Sequence, residues 1–257
     1  MLAQRALSFL FTLDILTQIN TMVLVDVIFL DIDGVLLPFG SAKKSSQEEN
    51  FKCDDCIFPN STMDALTKLL QKVGNISLTM KDINDQQQTI KGNPVLVLSS
   101  TWRARQEFIA DILGSFKGYV AFVQQQEPEV EQIWKPHLDA FFGIVDPCYH
   151  ATRHDEIFSW VRDNATRKNC HKNSSNNKRK RRTPQELECT STVVAFQVRS
   201  WIALDDEDLV NVEEDRVEVK AIPHVVKTES SVGLTLHDVD LGVKLLEDQM
   251  NAFYQLT

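Results

Sequence analysis

The sequence predicts an α/β fold built on a doubly wound, mainly parallel sheet, and three observations lead there. Short, nearly all-apolar runs recur along the chain, as strands buried on both faces of a sheet require. Segments with apolar residues at helical spacing alternate with them, the pattern of crossover helices between parallel strands. Several of the apolar runs also stop at acidic or hydroxyl residues. In an open parallel sheet, ligands bind in the crevice outside the carboxyl ends of the strands. A chain of 257 residues, 43% of them hydrophobic, suits one fair-sized domain with insertions better than two.

The first strand is expected at Val23–Leu30, followed directly by Asp31-Ile32-Asp33-Gly34-Val35-Leu36. Pro38–Phe58 is polar and reads as a loop or small flap. Met63, Leu66, Leu69 and Leu70 form the apolar face of a helix from Asn60 to about Val73. Lys81–Asn93 is polar and Gln-rich and reads as a surface insertion. Pro94 opens the strand Val95–Leu98, which ends in Ser99-Ser100-Thr101. Trp102–Leu113 reads as a helix stopped by Gly114. Residues 115–140 carry no clear pattern, and Phe141–Val145 is a further strand. Ile157, Trp160 and Val161 give helical spacing to His154–Val161. Trp201–Leu204 is a strand ending in Asp205-Asp206, and His224–Lys227 is a last short one. Leu236, Val239, Val243 and Leu246 make the stripe of a closing helix over Gly233–Leu246.

The net charge of −9 argues against a globally basic nucleic-acid binder. Between Asn164 and Gln185, however, there are eight Lys/Arg and no acid. That segment has no apolar periodicity and reads as a disordered insertion. Its core, Lys178–Arg182, suits a nuclear localisation signal or an arm touching nucleic acid, or else a solvated run with no specific role. Five cysteines, an odd number, point to a reducing compartment. A zinc site at Cys53-x-x-Cys56 would need partners from Cys148, His150 and His154, and ordinary thiols are the simpler reading. No apolar run is long enough to span a bilayer. Residues 1–21 read as a frayed N-terminal extension, with a weak targeting peptide as the alternative. Together these place the chain in the cytoplasm or nucleus.

The polar strand ends supply an inventory for phosphoryl transfer. A carboxylate can attack phosphorus, and a second, two residues on, can protonate the leaving oxygen and then activate water. A hydroxyl and a cation can hold the phosphoryl oxygens. Further acids can complete the oxygen shell of Mg2+. The set Asp31-Ile-Asp33-Gly34-Val35, Ser99, Arg153 and Asp205-Asp206 resembles the four motifs of the haloacid dehalogenase superfamily, in their order. The resemblance implies that superfamily's Rossmann-like core, with Asp31 as nucleophile and Asp33 as general acid/base. It implies phosphate binding by Ser99, Ser100 and Arg153, and Mg2+ held by Asp31, Asp33, Asp205 and Asp206. Arg153 stands where the third motif has a basic residue, with His154 and Arg162 as nearby competitors. Asp206 suits a metal ligand or a helix cap.

The stretches Val97-Leu-Ser-Ser-Thr-Trp-Arg103, Arg153-His-Asp-Glu-Ile157 with Trp160, and Val232-Gly-Leu-Thr235 narrow the likeness. They are similar to the phosphatase-like modules of Swiss Army Knife RNA-repair proteins. The gaps between motifs are mostly filled by core elements and a polar insertion, which leaves little or no cap domain and an open site. The expectation is a Mg2+-dependent phosphatase acting on a phosphorylated substrate, at nucleic-acid ends or on nucleotides. The alternative is an inactive nucleic-acid-binding adaptor that uses the basic insertion. Trp102 and Trp160 suit core packing more than stacking on a base. Arg103 suits either a substrate phosphate or an acid on its own helix.

Overall fold

Apolar runs read from the sequence become the strands of a parallel sheet. The computed structural model describes residues 23–40, 56–81, 87–147, 152–164, 196–207, 209 and 224–255. In chain order its elements are β1 (Val23–Leu30), α1 (Asn60–Asn75), β2 (Ser77–Lys81), β3 (Gln87–Lys91), β4 (Pro94–Leu98), α2 (Gln106–Val123) and α3 (Glu129–Trp134). Then follow β5 (Gly143–Ile144), α4 (Arg153–Asn164), β6 (Phe196–Asp205), β7 (Val225–Lys227) and α5 (Leu236–Gln255). Among the described residues the main sheet has the order β5-β4-β1-β6-β7, and every neighbouring pair is parallel. The fold is the α/β architecture the sequence predicts.

Alternation along the strands sorts their side chains to two faces. Ile28, Leu30, Leu96, Leu98, Ile202 and Leu204 enter one core with residues of α1, α2, α3 and α5. Val25, Val27, Phe29, Val95, Val97, Trp201 and Ala203 enter the other, beneath Ile157, Phe158 and Trp160 of α4. Phe29 takes Trp160 and Trp201 edge-on at centroid distances of 5.3 and 5.7 Å, an arrangement the aromatic quadrupole favours. A Cβ on Gly143 would come within 2.8 Å of the Trp160 ring, so glycine lets that ring lie on the edge strand. Trp160 is half-buried and packs against this core, the packing role the sequence favours.

Three readings change. Gly114 does not stop α2, which continues to Val123. Helical glycine costs about 1 kcal/mol relative to alanine. Ile112, Phe116, Tyr119 and Val120, all buried on one face, outweigh that. The Gln-rich stretch is no loose insertion, because β2 and β3 form an antiparallel hairpin, Ser77 opposite Lys91. The patternless region holds the rest of α2, then α3 and a 3-10 turn over Lys135–His137. The N-terminal extension, Cys53, Cys148, His150 and the basic run Lys178–Arg182 lie outside the described residues.

The hairpin sits at the end of the sheet remote from the strands' carboxyl ends. It joins the C-terminal end of α1 to the start of β4, with Gly92 N donating to Ile76 O at 2.9 Å. That same end holds Asp26, fully buried in β1 where the register with β6 shifts. Asp26 accepts from Arg199 Nε and Nη2 (3.0 and 2.5 Å), Ser200 Oγ (2.7 Å) and the Asn93 amide (2.7 Å). A buried carboxylate is tolerable only with such partners. Among the described residues no helix is long and apolar enough to cross a membrane.

Candidate active site

Register assembles the site. Leu30 pairs with Leu98 on one side and Leu204 on the other, so the next residues, Asp31, Ser99 and Asp205, emerge side by side from three adjacent strands. The backbone continues the pairing one step further: Asp31 N donates to Leu204 O at 3.1 Å, and Ser99 N to Leu30 O at 3.0 Å. All three side chains are buried.

After Asp31 the chain turns sharply. Leu36 and Leu37 amides both donate to Ile32 O, and Gly34 N donates to Leu37 O at 2.9 Å. Gly34 has φ +71°, and a Cβ there would meet Asp206 Oδ2 at 2.3 Å. Only glycine fits on both counts. The turn thereby holds Asp206 against the site, and Thr228 Oγ1 anchors it by donating to Gly34 O at 2.9 Å.

Arg153 arrives from the opposite face. A reciprocal cap starts α4 one residue before it: Thr152 N and Oγ1 donate to Asp155 Oδ2, and Asp155 N donates back to Thr152 Oγ1. From there Arg153 Nη1 donates to Asp31 Oδ2 at 2.6 Å and to Asp205 Oδ2 at 2.8 Å. The competitors do not reach: Arg162 is exposed beside Asp163 and Ser159, and the His154 ring packs on Phe158 at 4.4 Å.

Asp31, Asp205 and Asp206 each offer an oxygen within 4.8 Å of the others, near the roughly 4.2 Å across a Mg2+ shell with its Mg–O distances of about 2.1 Å. One guanidinium against three carboxylates leaves the cluster net negative. Burial pushes the Asp205 carboxyl up to about 6; Arg153 opposes the rise and the Asp31 charge adds to it. Asp31 Oδ1 and Ser99 Oγ are buried without a hydrogen-bond partner. An all-oxygen, anionic donor set with an orphaned carboxylate oxygen fits a hard divalent cation. The Asp33 carboxylate does not belong to this group. It accepts from Trp102 Nε1 at 3.0 Å.

The two serines of the second strand end differ. Ser100 Oγ accepts from Trp102 N at 3.4 Å and caps the 3-10 turn Thr101–Ala104, whereas Ser99 Oγ has no partner. Arg103 is committed neither to substrate nor to its own helix. It donates to the carbonyls of Ser99 and Ser100 and pairs with Glu156 of α4 at 2.5 Å, both side chains buried. Glu156 and the Trp102–Asp33 contact escape sequence reasoning because both link residues far apart in the chain. The Thr-x-x-Asp pattern at 152–155 was a legible signal for the helix start.

The chain matches the model of the HAD (haloacid dehalogenase) domain in Swiss Army Knife RNA repair proteins over residues 27–171. It belongs to that family. No curated protein and no solved structure matches it. The HAD match contains Asp31, Asp33, Ser99, Ser100 and Arg153 and ends before Asp205 and Asp206. β6 carries those two acids to the same crevice by pairing with β1. Membership in the HAD family supports a function of phosphatase type.

Proposed function

We propose that the protein is a Mg2+-dependent phosphomonoesterase that forms an aspartyl-phosphate (an acyl phosphate) on Asp31, with phosphorylated nucleic-acid ends or nucleotides as substrates. In this reading residues 22–257 are one HAD domain with insertions at 81–93 and 164–190, preceded by the extension 1–21. The observation that carries the proposal is the buried pair of unpartnered oxygens, Asp31 Oδ1 and Ser99 Oγ, on neighbouring strands beside Arg153. Leaving two such groups unsatisfied costs about 1–3 kcal/mol each, a cost that a bound phosphoryl group and cation would relieve.

Asp31 attacks phosphorus as the bond to the leaving oxygen breaks, and Asp33 gives that oxygen a proton. Asp33 then takes a proton from water as it hydrolyses the Asp31 phosphate. Ser99 and Arg153 hold the phosphoryl oxygens, Arg153 bidentately. Ser100, the other expected phosphate ligand, serves by fixing the turn that carries Trp102. Asp31, Asp205 and Asp206 would hold Mg2+, which screens the phosphoryl charge from the nucleophile. Asp33, expected as a fourth ligand, keeps its carboxylate for proton transfer.

Among the described residues nothing forms a cap over the crevice, and the hairpin lies at the other end of the sheet. A crevice with little cap, as the spacing of the motifs suggests, would favour the end of a long chain over an enclosed metabolite. The test is phosphate release from 4-nitrophenyl phosphate with and without Mg2+, by wild type and Asp31→Asn. Turnover lost in the variant and on chelation supports the enzyme, and 3′- and 5′-phosphorylated oligonucleotides then define the substrate. No turnover on any of these, with salt-sensitive RNA binding, would favour the adaptor instead.

A further inference from the structure

Resting on the phosphatase reading, we propose that Trp102 is the positioning residue for Asp33, its indole N–H holding the carboxyl in the orientation that protonates the leaving oxygen. The contact is Trp102 Nε1 to Asp33 Oδ2 at 3.0 Å. Among the described residues no other side chain donates to Asp33. The last torsion of an aspartate is broad and roughly two-fold, so rotamer preference does not fix the plane of the carboxyl. A donor has to do so.

The indole suits the task chemically. It is a donor with no acceptor role and no charge, so it orients one oxygen without the pull of a cation on the proton. The other oxygen stays available to carry that proton to substrate. The ring's surroundings support it: Ser100 Oγ accepts from the Trp102 backbone amide, and the ring packs on Phe108 with centroids 5.3 Å apart. Arg103, next in the chain, ties the same turn to the carbonyls of Ser99 and Ser100 and to Glu156. Asp33 is equally fixed at its backbone, in a bridge to Leu37 across the turn that Gly34 permits. Two supported residues thus meet at one hydrogen bond. A half-buried tryptophan placed for packing alone has no need to aim its nitrogen at this acid.

The experiment compares kcat/KM, which reports the steps up to departure of the leaving group, across aryl phosphates of equal size. 4-Nitrophenolate leaves without help, whereas phenolate and 4-methoxyphenolate need a proton. Trp102→Phe keeps the ring and removes the donor. The expected result is a loss of about tenfold or more on phenyl and 4-methoxyphenyl phosphate and of about twofold on the 4-nitro ester, a fraction of the 10²–10⁴ that general acid catalysis supplies. Asp33→Asn should show the same dependence more steeply, and Trp102→Phe should add almost nothing in that background.

A uniform loss across the series, or losses that multiply in the double variant, would overturn the assignment. No turnover by wild type would overturn the phosphatase reading and this one with it; turnover by wild type with a Trp102→Phe loss that is equal on every ester overturns this one alone. Should Trp102→Phe fold poorly by its melting temperature, Trp102→His restores a ring N–H, and a wild-type leaving-group dependence is then expected. A steep dependence in a folded Trp102→His would count against the proposal.

Discussion

Ser99 and Ser100 carry the same hydroxyl in different surroundings, and substitution should separate them. Ser99 Oγ is buried without a partner, so Ser99→Ala removes an unsatisfied group and should leave stability within about 1 kcal/mol of wild type, or raise it. Catalysis should suffer, by about 10²-fold in kcat/KM if that oxygen meets the transferring phosphoryl group. Ser100→Ala should do the reverse in proportion. Losing the cap of the Thr101–Ala104 turn should cost about 1 kcal/mol, with activity falling through Trp102 and by less. Urea unfolding and phosphatase kinetics on both variants check the pair. Sequence spacing delivers the strand end but not this division of labour. Both serines follow the same apolar run, and only the fold shows which hydroxyl is occupied by its own backbone. Arg153 was legible as a nearby cation; that it bridges Asp31 and Asp205 depends on a helix cap and on a sheet register.

The elements show the same limit in another form. β1, β4 and the second half of β6, from Trp201, were legible because strands buried on both faces are mostly apolar, and their exits to Asp31, Ser99 and Asp205 mark where that rule stops; the first half of β6 was not, because Gln197, Arg199 and Ser200 break the apolar run. The hairpin β2–β3 was hidden because Leu78 is its contribution to the core among the described side chains, while Thr79, Gln87 and Thr89 face solvent. The continuation of α2 past Gly114 was hidden because a local stop signal lost to packing. Coupling between elements is likewise invisible in sequence, and Arg103–Glu156 is the case that matters most. This buried pair joins the turn after β4 to α4, three residues beyond Arg153. Removing one partner of a buried ion pair leaves the other charge uncompensated and costs about 3–5 kcal/mol. Glu156→Gln should therefore lower the stability by about 3 kcal/mol in denaturant titrations. The double variant Arg103→Met/Glu156→Gln should lose less than the two singles combined, because it strands no charge.

Over the whole molecule, pH acts on two buried groups with opposite sign. Burial lowers His137, packed edge-on against Trp134, to about 4. The unfolded chain titrates this group near 6.5, so between pH 6.5 and 4 the unfolded state binds more protons and stability falls as pH drops. Below pH 4 the loss levels off at about 3 kcal/mol; above 6.5 it vanishes. Asp205, raised to about 6 by burial, works the other way. Its folded state binds more protons between about 6 and the usual carboxylate range, so acidification through that window relieves a buried charge. The wild-type profile is thus a partial cancellation, and a flat curve would hide both. The difference between wild type and His137→Phe isolates the histidine. The variant keeps an aromatic ring against Trp134 and has nothing to protonate, so its advantage over wild type should grow as pH falls from 7 to 4.5. Urea midpoints measured at several pH values in that range check this. A constant gap between the two proteins would mean that His137 reaches solvent and titrates as freely in the folded chain as in the unfolded one.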